Sequence, residues 1–127
     1  MHKTRFSLSL LALMGLSSGA LASHAKLDSQ EAMTQIAMNQ CAAEAYKSED
    51  ALLNQNYKAL RAKLNSKEKH ELKQVQLTWL KYRDQQCAFE SARYEGGSIY
   101  PLILSRCLHG LTKQRIAVLG DMRSQPR

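Results

Sequence analysis

The feature that most limits what this chain can fold into is a long stretch without helix breakers. From about Ser29 to Arg93 it contains no Pro and no Gly. Ala, Leu, Lys, Gln and Glu, which all favour helices, are abundant there. Residues that favour strands are scarce, with only Ile36, Val75 and two threonines being β-branched. The stretch therefore predicts an all-α fold.

Apolar residues recur at the three- and four-residue spacing of a buried helix face. The first set is Ala42, Tyr46, Leu53, Tyr57, Leu60 and Leu64. The second is Leu72, Val75, Trp79 and Tyr82, with Leu80 and Cys87 beside it. The third is Leu104, Cys107, Leu108, Leu111, Ala117, Val118 and Leu119. Each set predicts one helix with one face toward a core.

Breaks between these sets give the helix boundaries. Ser66 has the side chain of an N-cap, and the run Glu95-Gly96-Gly97-Ser98 interrupts the second helix. Pro101 suits the opening turn of the third helix, and Gly120 suits a C-terminal cap. Because short connections make consecutive helices antiparallel, we predict an antiparallel three-helix bundle over about 30–64, 67–93 and 99–121.

The first 22 residues have the pattern of a secretory signal peptide. Lys3 and Arg5 precede an uncharged apolar run that ends in Ala20-Leu21-Ala22, a small-residue cleavage pattern. The run is about 15 residues, short of the ~20 that span a bilayer, so a membrane anchor is the weaker interpretation. We expect cleavage after Ala22, or alternatively after Ala25, and a single domain over 23–127 that is periplasmic or secreted and not embedded in a membrane.

The charge of the mature chain limits its partners. Without Lys3 and Arg5, 16 basic residues remain against 11 acidic ones, a net charge of +5. This surplus suits solubility, or attraction to anionic lipid or glycan. No basic cluster is interleaved with aromatic residues, so nucleic acid is not expected as a partner.

Three cysteines remain after cleavage, and the predicted bundle places Cys41, Cys87 and Cys107 at nearly the same height. We favour a Cys87–Cys107 disulfide, which staples two helices, but a bond from Cys41 stays open. An odd thiol allows either a monomer or a disulfide-linked dimer. No C-x-x-C motif is present, so no metal site is expected.

Polar residues in the second helix have a structural interpretation. Asp50 on the first helix lies near the height of residue 80, so an Asp50–Arg83 ion pair is expected to clamp two helices. Trp79 and Tyr82 are expected to be core residues beside it.

No catalytic set is recognisable. The mature histidines, His24, His70 and His109, do not converge with a Ser, Cys or carboxylate. We therefore predict a non-enzyme without cofactors.

The candidate binding loop contains two tyrosines beside a flexible polar turn, and loops on a rigid scaffold often carry recognition. It consists of Tyr94, Glu95, Gly96, Gly97, Ser98 and Tyr100. The alternative is a plain helix connector.

Several strings in this order resemble the LprI-type lysozyme inhibitor N-terminal-domain family. They are Met38-Asn39-Gln40-Cys41-Ala42, Asp50 with Leu53-Asn54 and Tyr57, Trp79-x-x-Tyr82-Arg83-Asp84-x-x-Cys87, Tyr94-Glu95-Gly96-Gly97-Ser98, and Cys107-Leu108-x-x-Leu111-Thr112-x-x-Arg115. The resemblance covers about 28 to 120. One departure is Ser29, where the family often carries a further Cys, and this leaves the disulfide partner open.

The resemblance implies a small exported helical protein that binds another protein, with a lysozyme as the candidate partner. We expect it to protect the cell wall by plugging the lysozyme cleft with the candidate binding loop. The alternative is an envelope-associated structural or stress factor that binds anionic lipid or glycan.

Overall fold

The computed structural model describes residues 34–126, and this part of the chain folds into three long helices without strands. Helix α1 spans Gln35–Arg61, α2 spans Ser66–Ser91 and α3 spans Tyr100–Ser124. A 3₁₀ turn at Ala92–Tyr94 follows α2. The all-α prediction and the helix count are confirmed. The predicted signal peptide, both predicted cleavage sites and the predicted helix start near residue 30 lie outside the described residues.

Asn65, and not Ser66, caps the start of α2. The Asn65 side chain accepts a hydrogen bond from the Glu68 backbone N–H, and the Glu68 carboxylate accepts one from the Asn65 N–H, both at 3.0 Å. This reciprocal capping box satisfies two donors that a helix start leaves unpaired. The prediction of Ser66 as cap was therefore off by one residue, because both neighbours have capping side chains.

Gly120 lies inside α3, so its predicted role as a C-terminal cap is wrong. The helix continues to Ser124, and Met122 beyond the glycine packs against the core. That contact offsets the roughly 1 kcal/mol that a glycine costs inside a helix. At the other end, Pro101 stands in the first turn of α3, as predicted.

The helices run up, down and up, with α3 packed along α1 and more loosely along α2. Asn39 near the start of α1 donates to the Ser98 carbonyl just before α3, and Lys63 after α1 donates to the Arg123 carbonyl near the end of α3. The central core consists of Leu53, Leu60, Leu64, Leu72 and Leu119, with Tyr57, Trp79, Leu80, Ile116 and Met122 packed against it. The predicted apolar face of α1 is thus confirmed.

The predicted inward face of α2 is confirmed at Leu72, Trp79, Leu80 and Cys87 but not at Val75 and Tyr82. Val75 is 50% exposed and Tyr82 is 52% exposed, so the expectation that Tyr82 is a core residue is wrong. The buried positions of α2 are Leu72, Gln76, Arg83, Cys87 and Ser91. Gln76 and Arg83 are large polar residues, so hydropathy assigned their inward places to Val75 and Tyr82, which precede them in sequence.

The predicted face of α3 also needs correction. Ala117 and Val118 are exposed, whereas Leu119 is buried as predicted. Leu102, Thr112 and Arg115 are also buried, and none of these was predicted. As in α2, polar side chains occupy inward positions and displace apolar ones to the surface.

Candidate functional site

The disulfide joins α2 to α3 directly behind the connecting turn. Cys87 and Cys107 are bonded, with their Cα atoms 5.5 Å apart, which confirms the favoured pairing. Cys41 is a free and exposed thiol, so the alternative bond from Cys41 is excluded in this structure. A cross-link of this kind restricts how far the two helix ends can separate.

The turn itself, residues 94–100, is compact and largely exposed. The Gly97 N–H donates to the Tyr94 carbonyl, and the Tyr100 N–H donates to the Gly97 carbonyl. Gly96 has a φ of +79°, a left-handed conformation that side chains disfavour. Local backbone bonds and one glycine therefore fix the shape of the turn.

Contacts on both sides hold the turn in place. The Asn39 amide Nδ2 donates to the Ser98 carbonyl at 2.9 Å, which ties the turn to α1. The Arg93 guanidinium stacks on the Tyr94 ring at 5.0 Å. Glu95 is exposed, whereas Tyr94 and Tyr100 are half-buried at the base of the turn.

Phe89 was missed by the sequence reasoning, although it extends the surface beside the turn. Its side chain is 81% exposed, and Ile99 within the turn is also exposed. Phe89 lies seven residues after Tyr82, which puts the two side chains on the same face of α2. That spacing was the signal that could have identified it.

A polar cluster centred on Arg83 connects all three helices in the middle of the bundle. Arg83 Nη1 donates to Asp50 Oδ1 at 2.9 Å and to Thr112 Oγ1 at 3.3 Å, and Nε donates to Asp84 Oδ1 at 2.9 Å. Burial lowers the pKa of Arg83, but the bonds to Asp50 and Asp84 outweigh it and the pKa is raised overall. The guanidinium is therefore buried as a permanent cation with two carboxylate partners.

Aromatic rings and guanidinium groups alternate through this cluster. The Arg83 guanidinium lies 5.4 Å from the Tyr46 ring centre and 5.5 Å from the Trp79 ring centre. The Arg115 guanidinium lies 5.6 Å from the same Trp79 ring centre. Burial raises the pKa of Tyr46, while the nearby Arg83 charge opposes that shift. The sequence prediction included Arg83 and Trp79 here, placed Tyr46 only on the apolar face of the first helix, and gave Arg115 no structural role.

Arg115 is buried with fewer partners than Arg83. Its Nε donates to Gln76 Oε1 at 3.0 Å, and burial lowers its pKa because the charged form loses hydration. Within residues 34–126, its Nη2 atom is buried without a hydrogen-bond partner. This uncompensated cation could not be read from the sequence, since an arginine at that position looks solvated.

The structure brings no catalytic set together in the part of the chain that it describes. His109 Nε2 lies 3.6 Å from Glu49 Oε2, and His70 is exposed, while His24 lies outside the described residues. Across residues 34–126 no three His, Cys, Asp or Glu side chains are grouped as metal ligands would be. None of the helices in that range has the length and apolar character needed to cross a membrane.

Comparisons with known proteins identify relatives of this chain. A family model described as "Lysozyme inhibitor LprI" matches residues 26–119. An uncharacterized protein of Rhizobium meliloti, R02472, is 32% identical over 108 residues, which cover 75% of this chain and 78% of that protein. No solved structure matches the chain. On the strength of the family match, which spans most of its length, the chain belongs to the LprI family of lysozyme inhibitors.

Proposed function

We propose that this protein is an exported inhibitor that binds a lysozyme through the turn at 94–100 and protects the bacterial cell wall without doing chemistry itself. The observation that carries the proposal is that this turn is exposed and is already held in one conformation. The disulfide Cys87–Cys107 fixes it from behind, and the Asn39 bond to Ser98 fixes it from the side. A rigid projecting turn loses little conformational entropy when it enters a cleft.

The side chains around the turn suit contact with an enzyme of net positive charge. Glu95 is an exposed carboxylate at the tip, and Glu90 is exposed nearby on α2. Phe89 and Ile99 add exposed apolar surface beside them. Animal-type lysozymes are basic, so this local acidic surface would orient the turn even though the whole chain is positively charged.

The location is part of the same proposal. We place the mature chain, 23–127, in the periplasm or outside the cell after removal of a leader at 1–22. The disulfide supports this location, because such bonds persist in oxidising compartments. There a bacterial inhibitor would meet lysozymes that attack the wall.

Inhibition can be tested in a turbidity assay of a purified lysozyme on cell walls. The variant Glu95→Ala/Tyr100→Ala should lose most of the inhibition shown by the wild-type protein. The matched control Glu71→Ala/Tyr82→Ala removes the same residue types from the middle and first part of α2 and should inhibit normally, because both side chains lie away from the turn. Equal inhibition by both variants would reject the turn as the contact.

A second candidate function rests on the opposite end of the bundle. Lys58, Arg61 and Lys69 surround a shallow depression of about 200 Å³ where α1 and α2 meet. Such a basic end would bind anionic lipid or glycan on the envelope. That binding to anionic vesicles should fall steeply between low and physiological salt, whereas inhibition by a shape-fitting turn should change little.

A further inference from the structure

A second groove lies on the outer side of α2 and α3, well away from the turn at 94–100. It has a volume of about 430 Å³, and its lining residues are Gln74, Val75, Thr78, Trp79, Tyr82 and Arg115. Trp79 precedes Tyr94 by 15 residues, which places the groove roughly 20 Å along the helix from the turn. A ligand in this groove therefore need not touch the proposed lysozyme contact.

The floor of the groove contains an uncompensated charge. Arg115 is only 8% exposed, and no carboxylate within residues 34–126 forms an ion pair with it. Gln76 and the Trp79 ring are its neighbours, and the Nη2 atom has no acceptor among those residues. A buried cation without a counter-charge is costly, so it gains more from an incoming anion than a solvated arginine does.

Arg83 is the comparison for Arg115, because it is a buried arginine whose charge is compensated by carboxylates. It too is buried, but it bonds to Asp50, Asp84 and Thr112. Both arginines stack on Trp79, so the difference between them lies in the missing carboxylate. That missing group is the one that a ligand would supply.

The walls of the groove are mostly apolar and open to solvent. Val75 and Tyr82 are each half exposed. The face from Val75 to Tyr82 is about 10 Å long, enough for two turns of a helical partner or a few residues of an extended one. Exposed apolar strips of this kind commonly mark interaction surfaces.

We propose that this groove binds an apolar segment of a partner protein through one acidic residue, whose carboxylate pairs with Arg115. Charge complementarity argues for this occupant, because Arg115 lacks the carboxylate that the partner brings. A second copy of this chain fits poorly, since the groove lining contains no acidic side chain and a symmetric dimer would bring two Arg115 cations together. An acidic sugar fits less well too, because Gln74 and Thr78 offer few hydrogen bonds for its hydroxyl groups.

Trp79 provides a direct readout, because it is the only tryptophan of the chain and lines the groove. The probe is an acetylated leucine- and phenylalanine-rich peptide with one central aspartate, and its control is the same peptide with asparagine. Both are titrated into the full mature protein while Trp79 emission is recorded. We expect the aspartate peptide to bind at least about tenfold more tightly, as a charge-assisted bond in a buried site implies.

Two variants connect the preference to Arg115. Arg115→Met should abolish the preference for aspartate, and Arg106→Met, which removes an exposed arginine elsewhere on α3, should retain it. Val75→Glu, at a half-exposed position that tolerates a charge, places a carboxylate in the groove wall and should also abolish the preference. Val75→Glu keeps the test decisive if Arg115→Met folds poorly.

Equal binding of the two peptides, or a preference that persists in both groove variants, would overturn the proposal. If N-acetylmuramic acid displaces the peptide at a concentration below that of the peptide, the groove binds an acidic sugar instead. If the protein dimerises as its concentration rises and Val75→Glu prevents this, the groove binds a second copy of the chain. Lysozyme inhibition by Arg115→Met should stay at the wild-type level, which separates this proposal from the proposed function.

Discussion

Replacing Asp50 should cost far more stability than replacing Asp84, although both carboxylates lie 2.9 Å from the same guanidinium. The Asp50 side chain is 36% exposed and reaches Arg83 from another helix. The Asp84 side chain is 61% exposed and neighbours Arg83 in sequence. Solvent therefore screens the second pair more strongly, and only the first joins two helices.

The magnitudes follow from burial. A hydrogen bond to a charged group contributes about 1.5–3 kcal/mol, and the partial exposure of Asp50 puts Asp50→Ala near the lower end, about 1.5 kcal/mol. An exposed pair contributes ~0–1 kcal/mol, so Asp84→Ala should cost about 0.5 kcal/mol. For a domain of this size, 1.5 kcal/mol corresponds to a fall of about 6–12 °C in Tm.

Urea unfolding of the disulfide-intact protein, followed by Trp79 fluorescence, measures both free energies. Trp79 is a suitable probe because Arg83 lies 5.5 Å from its ring centre. In a double-mutant cycle with Arg83→Met, the coupling to Asp50 should be about 1.5 kcal/mol and that to Asp84 clearly smaller. An equal or larger loss in Asp84→Ala, or no coupling between Asp50 and Arg83, would refute the reasoning.

Five further changes test the fold by chemical unfolding. Gly96→Ala should destabilise the protein by about 1 kcal/mol because of the positive φ, whereas Gly120→Ala, inside a helix with open space for a methyl group, should stabilise it by up to about 1 kcal/mol. Asn65→Ala should cost about 1 kcal/mol, since it removes the capping box, and Asn65→Ser should recover most of it. Reducing the Cys87–Cys107 bond, which closes a 20-residue separation, should cost about 3 kcal/mol, and an unchanged urea midpoint in reductant would contradict its role.

The helix count, their approximate bounds and the disulfide could be predicted because they depend on strong local signals. A stretch free of Gly and Pro dictates helices, and the glycine pair Gly96-Gly97 dictates a break. Cys87 and Cys107 stand at similar distances from that break, which favoured their pairing, but Cys41 lies at nearly the same height and only the structure decides between the bonds.

The facing of α2 could be predicted only in part, because some inward positions carry polar residues that hydropathy assigns to the surface. The Asp50–Arg83 pair was expected from the heights of the two residues and is confirmed, whereas the contact of Arg83 with Thr112 on α3 depends on how the helices pack. Arg115 is the harder case, since its burial between Gln76 and Trp79 depends on how α2 and α3 pack. Val75 and Tyr82 are exposed because Gln76 and Arg83, which follow them in sequence, take the inward positions.

The most direct test of the proposed function is the inhibition of a purified animal-type lysozyme by the oxidised wild-type protein in a cell-wall turbidity assay. We predict that the rate at which turbidity falls decreases in proportion to the added protein and reaches zero near one inhibitor per enzyme. Reduction of the Cys87–Cys107 bond should weaken the effect, because the turn then loses its support. Unchanged clearing at a hundredfold excess of the oxidised protein, roughly two decades beyond the predicted endpoint, would contradict the function proposed for this chain.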